Sequence, residues 1–156
     1  MNESKPYAMP STHTGGLRLG GRLGGLDPSA LAKAEAALKS LSANFAEWMN
    51  NEITKLDAAW DQVRAQGATQ AAMDSLYLRA HDLKGLGTTY GFPIVTGIAA
   101  QLCRQIGDGE NRLTASLDAI GGQIAAIKTA VSQNITTEDQ PEGQALLASL
   151  RSRISV

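Results

Sequence analysis

Met73-Asp74-Ser75-Leu76-Tyr77-Leu78-Arg79-Ala80-His81-Asp82-Leu83-Lys84-Gly85-Leu86-Gly87-Thr88-Thr89-Tyr90 is the stretch that decides the fold. Within it Met73, Leu76, Ala80, Leu83, Gly87 and Tyr90 recur at steps of three and four, which puts them on one face of an α-helix. That face is apolar and belongs against a core. At about 100° per residue, His81 lies about 140° from the centre of the stripe, Lys84 about 80°, Thr88 about 120° and Gly85 about 180°. The spacing therefore predicts a solvent-facing surface that carries His81, Lys84, Gly85 and Thr88, with Tyr77 and Leu78 beside the histidine.

The same reading extends in both directions. This helix is expected over about 70–89, preceded by Gly67-Ala68-Thr69, where Gly67 can take the left-handed conformation that ends a helix. Upstream, Asp27 can cap free amide groups and Pro28 suits a first helical position. Leu31, Ala34, Leu38 and Leu41 form one apolar stripe there, and Phe45, Met49, Ile53, Leu56, Trp60 and Val63 form a second. Because the stripes change phase at Ser42-Ala43-Asn44, a short leading helix over about 28–42 and a longer one over about 45–66 are expected, with one bent continuous helix as the alternative. Trp48 and Trp60 are read as packing residues. Downstream, Gly91-Phe92-Pro93 turns the chain into a helix whose buried stripe is Val95, Ile98, Ala99, Leu102 and Ile106, closed by Gly107-Asp108-Gly109. A last long helix is expected over about 111–134, with Leu113, Leu117, Ile120, Ile124, Ile127 and Val131 on its stripe. After Glu138-Asp139-Gln140-Pro141, residues 142–154 form a candidate C-terminal helix that docks through Leu146, Leu147, Leu150 and Ile154.

Convincing alternating strand patterns are absent, so the expected fold class is all-α. Long helices joined by short connections favour an antiparallel up-down four-helix bundle, here with a short leading helix. The expected organisation is a flexible Gly-rich tail over 1–26, the bundle over 27–136 and an extension over 137–156. In the tail, paired glycines alternate with Leu and Arg between Thr14 and Gly25, and their entropy opposes burial. Arg18 and Arg22 are its candidate partner contacts, and His13 lies there without comparable neighbours.

A net charge of −1 with acids and bases interspersed leaves no basic footprint for nucleic acid and no polybasic membrane anchor. Cys103 is the single cysteine, so no internal disulfide is available and a reducing compartment fits. No apolar run approaches the roughly 20 residues that span a bilayer, and the N-terminus lacks the apolar core of a signal peptide. A cytoplasmic location is the expectation.

The chemistry of the polar surface follows from its residue types. A neutral imidazole nitrogen is a good nucleophile near neutral pH and can accept a phosphoryl group. Lys84, one turn on from His81, can meet phosphate oxygens as the charge arrives. A mid-helix glycine costs roughly 1 kcal/mol relative to alanine, so Gly85 calls for a reason, and clearance for a docking partner is the simplest. Gly87 lies near the core face instead, where a missing side chain lets a neighbouring helix come close.

Ala80-His81-Asp82-Leu83-Lys84-Gly85, followed by Gly91, Val95 and Leu102, resembles the histidine-containing phosphotransfer domain, whose pattern is approximately H-x-L-K-G, five residues, G, then spaced aliphatics. The resemblance implies that His81 is the phosphoacceptor, Lys84 its electrostatic support, and Gly85 the room for a receiver domain. It further implies a phosphocarrier rather than an enzyme: the partners would be response-regulator receiver domains, including one carried by a hybrid histidine kinase, and the Mg²⁺ would be the receiver's own. No cofactor or metal is expected on this chain. Where the family carries Glu or Gln after the leucine matching Leu102, this chain has Cys103. A second reading stays open, in which the same helix face binds a partner without phosphorylation, with Tyr77, Leu78, Gly85 and Thr88 as docking residues. A metal-binding bundle has little support, since there is no Glu-x-x-His pair and no second histidine on the His81 face.

Overall fold

The computed structural model describes residues 27–154, with side chains to residue 152. The Gly-rich tail, with Arg18, Arg22 and His13, lies outside the described residues. These are all-helical, with no strand and six helices. In chain order they are α1 (Pro28–Gln66), α2 (Gln70–Leu86), α3 (Pro93–Ile106), a 3-10 helix (Gly109–Thr114), α4 (Leu117–Ser132) and α5 (Pro141–Ile154).

Two expected elements differ. The leading helix is not separate: α1 runs unbroken from Pro28 to Gln66, because Ser42-Ala43-Asn44 contains neither proline nor glycine and a phase change in the apolar stripe does not interrupt backbone hydrogen bonding. By its contacts the chain nonetheless divides after Ser42, where the stripes change phase. The last long helix starts at Leu117 rather than near 111. Ser116 caps it, its side chain accepting from the Ala119 N–H at 3.2 Å, and Asp118 suits the first turn. Leu113 belongs to the 3-10 helix and is exposed, not buried.

Other boundaries follow their local signals. Asp27 accepts from the Ala30 N–H at 2.7 Å, and Thr69 from that of Ala72 at 3.2 Å. Gly67, Gly91, Gly107 and Gly109 all have positive φ and make the turns between helices. Asn134, also left-handed at φ 57°, ends α4 and lets the Ile135 N–H reach Ala130 O at 2.8 Å. Gln140 accepts through Oε1 from Thr136 and Thr137 ahead of α5, and a Cβ at Gly143 would collide with Thr137 O.

In the unit from Ala43 onward, the core gathers from five helices. Met49, Leu56 and Val63 of α1, Met73, Leu76, Ala80 and Leu83 of α2, Val95, Leu102 and Ile106 of α3, and Ile120 and Ile127 of α4 are fully buried, each leucine or isoleucine among them contributing about 1.5–3 kcal/mol. Leu150 of α5 is buried and Leu146 and Leu147 half-buried. The helices α2 and α3, α3 and α4, and α4 and α5 pack as neighbours. Trp60 of α1 packs on α4, 3.1 Å from where a Cβ of Gly121 would sit, and Lys128 pairs with Asp57 at 2.9 Å. Trp48, off the α1 stripe, is 41% exposed and touches Phe45 and Tyr90 at ring distances of 5.8 Å. Among the described residues no helix is long and apolar enough to cross a membrane.

Gln123 of α4 is fully buried, and neither of its amide atoms meets a hydrogen-bond partner among the described residues. No described residue compensates its desolvation. We expect Gln123→Met to raise the unfolding free energy by about 1–3 kcal/mol, read from the urea midpoint at unchanged m-value.

Candidate functional site

The polar side of α2 is a ridge. Gln70, Asp74, Tyr77, His81 and Lys84 follow one another at steps of four and three, so their side chains stand in a row along the helix. The N-terminal end of the row is tied down. Gln70 Nε2 donates to Asp74 Oδ1 at 2.8 Å and to Gly109 O at 3.3 Å. Arg112 of the 3-10 helix reaches across, its Nη1 donating to Asp74 Oδ1 at 2.8 Å and its Nε to Gly107 O at 2.9 Å. Its guanidinium carbon then sits 4.2 Å from the centre of the Tyr77 ring. The hydrogen bond from Gln70, reinforced by Arg112, holds the Asp74 carboxyl below the ordinary carboxylate range. The tie is thus ionic at neutral pH and weakens as pH falls through that lowered value.

Tyr77, half-buried beneath Arg112, presents its other neighbour to the imidazole: the two rings lie 5.9 Å apart at 30°. His81 itself is exposed, and among the described residues neither imidazole nitrogen has a hydrogen-bond partner. Both remain open to chemistry. Asp82, the adjacent acid, is drawn to the side by Arg79 at 3.6 Å. Lys84 is exposed and makes no ion pair with a described residue. It borders an open cleft of about 580 Å³ shared with Tyr77, Cys103, Arg104 and Asn111.

The two glycines differ as their positions on the helix require. A Cβ at Gly85 would meet nothing within 4 Å, so the surface beside His81 is clear. At Gly87 it would lie 2.5 Å from Thr96 Oγ1 and 2.6 Å from Thr96 N, so α3 approaches through the missing side chain. Leu78 is 53% exposed on the His81 side of the helix. Thr88 lies beyond the end of α2. Although exposed, it is engaged with α3, its N–H donating to Thr96 Oγ1 at 2.8 Å and its hydroxyl lying 3.1 Å from the same atom.

Cys103 is buried on α3, facing the cleft that Lys84 borders. Burial pushes its thiol above the ordinary value, opposed by the nearby charges of Lys84, Arg104 and Arg112. The thiol therefore stays protonated and offers only a weak donor. Native protein at mildly alkaline pH should react with iodoacetamide more slowly than the urea-unfolded chain at the same pH, and equal rates would contradict the burial.

Sequence reasoning brought His81, Lys84, Gly85, Tyr77 and Leu78 to one surface, and missed Gln70, Asp74 and Arg112. The four-three ridge from Gln70 to Lys84 is readable in the chain and points to the first two. Arg112 carries no comparable local signal. No protein-family model, no curated protein and no solved structure matches this chain.

Proposed function

We propose that this chain is a phosphocarrier that accepts and donates a phosphoryl group on His81 in exchange with the aspartate of a receiver domain, of the histidine-containing phosphotransfer type. In this reading the part of α1 from residue 43, with α2, α3 and α4, makes an antiparallel up-down four-helix bundle, and α2 presents the histidine. The observation that carries it is an exposed imidazole with neither nitrogen partnered among the described residues, one turn from a lysine that pairs with none of them and four residues before the open space at Gly85.

Transfer is an in-line displacement. A lone pair on an imidazole nitrogen attacks phosphorus as the bond to the aspartyl oxygen breaks, the carboxylate leaves with that electron pair, and the product is phosphohistidine. Lys84 meets the phosphoryl oxygens from this side, and a Mg²⁺ held by the receiver would neutralise the rest of their charge. Tyr77, held by Arg112, limits where the imidazole can swing. Leu78 offers an apolar contact beside the reacting group.

Incubation with receivers phosphorylated on aspartate tests the reading: label should pass to this chain and return to fresh receiver. Stable binding of a receiver with no movement of label would favour the non-phosphorylated interaction module that the exposed Leu78 also suits. Lys84→Ala should slow single-turnover transfer without abolishing it. A hydrogen bond to a charged group is worth about 1.5–3 kcal/mol, which limits the loss to about two orders of magnitude. An unchanged rate would make the lysine plain solvated surface.

A further inference from the structure

Residues 28–42 of α1 carry Leu31, Ala34, Leu38 and Leu41 at steps of three, four and three. That is a heptad seam, with Leu31 and Leu38 at a and Ala34 and Leu41 at d. Its three leucines are exposed by 48%, 65% and 44%. As the first part of α1, residues 28–42 are helical yet bury none of their apolar face, whereas most helical stability in proteins comes from burying such a face. A seam of this period fits the side of another helix, since the knobs of one helix need the holes of the other.

We propose that this face pairs with the same face of a second copy of the chain, antiparallel, as a weak homodimer. The face is complementary to itself in that orientation. A register that sets Leu31 opposite Leu41 of the second copy also sets Ala34 opposite its Leu38, so each small residue receives a large one and a and d positions share every layer. The positions flanking the seam are Ala30, Glu35, Ala37 and Ser42, small or polar, which allows close approach. Glu35 then lies close to the level of Lys39 of the second copy, and within one chain neither makes an ion pair with a described residue. Two such pairs form about the two-fold axis. The paired length is about 22 Å, at the small end of specific interfaces, so association belongs on the order of 10–100 µM.

Sedimentation velocity on the full chain over a concentration series spanning that range tests the proposal. The wild type should pass from monomer to dimer, and Leu38→Glu should stay monomeric throughout. The charge pair gives an independent reading. Glu35→Lys and Lys39→Glu should each dimerise severalfold more weakly than the wild type, and an equimolar mixture of the two should recover, because opposite charges then meet across the seam while each chain keeps its own internal repulsion. A wild type that remains monomeric overturns the proposal and leaves the face to another occupant, such as the chain's own residues 1–26. Dimerisation unaffected by Leu38→Glu, or no recovery in the mixture, overturns it as well.

Discussion

His81→Gln should abolish phosphoryl acceptance from a phosphorylated receiver and leave the fold in place. The side chain is exposed and hydrogen-bonds to no described residue, so its loss removes little packing. The one contact at stake is the tilted ring pair with Tyr77, worth about 0.5–1.5 kcal/mol at most. Tyr77 keeps its contact with Arg112. Glutamine is similar in length and polarity but its amide nitrogen has no lone pair free to attack phosphorus, so the effect on transfer is total rather than graded. Circular dichroism and the urea midpoint should match the wild type closely, while label transfer falls to background. Labelling that persists in the variant would move the phosphoacceptor elsewhere.

Gly87→Ala should destabilise the protein by about 1–3 kcal/mol, whereas Gly85→Gln, two residues earlier in the same helical segment, should stabilise it by up to about 1 kcal/mol. The sign is set by what stands opposite. A methyl group at Gly87 would press on Thr96 Oγ1 and N and on Phe92 O at 3.0 Å, and two of these three atoms are backbone. They cannot rotate away. The junction of α2 and α3 must open, which strains the hydrogen bond from the Thr88 N–H to Thr96 Oγ1. At Gly85 the added side chain enters open space and removes the conformational cost of glycine. Chemical denaturation of both variants should show midpoints displaced in opposite directions. In the phosphocarrier account Gly85→Gln also weakens receiver binding despite its greater stability, since it fills the clearance beside His81. Normal transfer by that variant would remove clearance as the reason for the glycine.

These expectations show which parts of the molecule were legible in one sequence. The α2 stripe was, because Met73, Leu76, Ala80 and Leu83 are all fully buried and period alone places them. The turns were legible too, as glycines at 67, 91, 107 and 109 take conformations other residues avoid. The start of α4 was not. Leu113 stands four residues before Leu117, a spacing that continues the stripe by coincidence, and the capping of Ser116 overrides it. In α1 the phase change was readable, but periodicity says which residues share a face and not whether the backbone breaks between two faces. Nor does it reveal that Leu31, Leu38 and Leu41 stay exposed. At the candidate site, His81, Lys84 and Gly85 stood out because they are local in sequence. The Arg112 to Asp74 ion pair spans 38 positions and exists only once the 3-10 helix lies against α2, so no local pattern foretells it.

The most direct test of the central claim is to map the phosphoryl group after transfer from a labelled receiver, by mass spectrometry of the digested chain at neutral or alkaline pH. The account predicts one phosphoryl group, on His81, stable in base and lost in mild acid. A phosphoryl group on another residue, or an unmodified chain after exposure to a broad set of phosphorylated receivers, would contradict it.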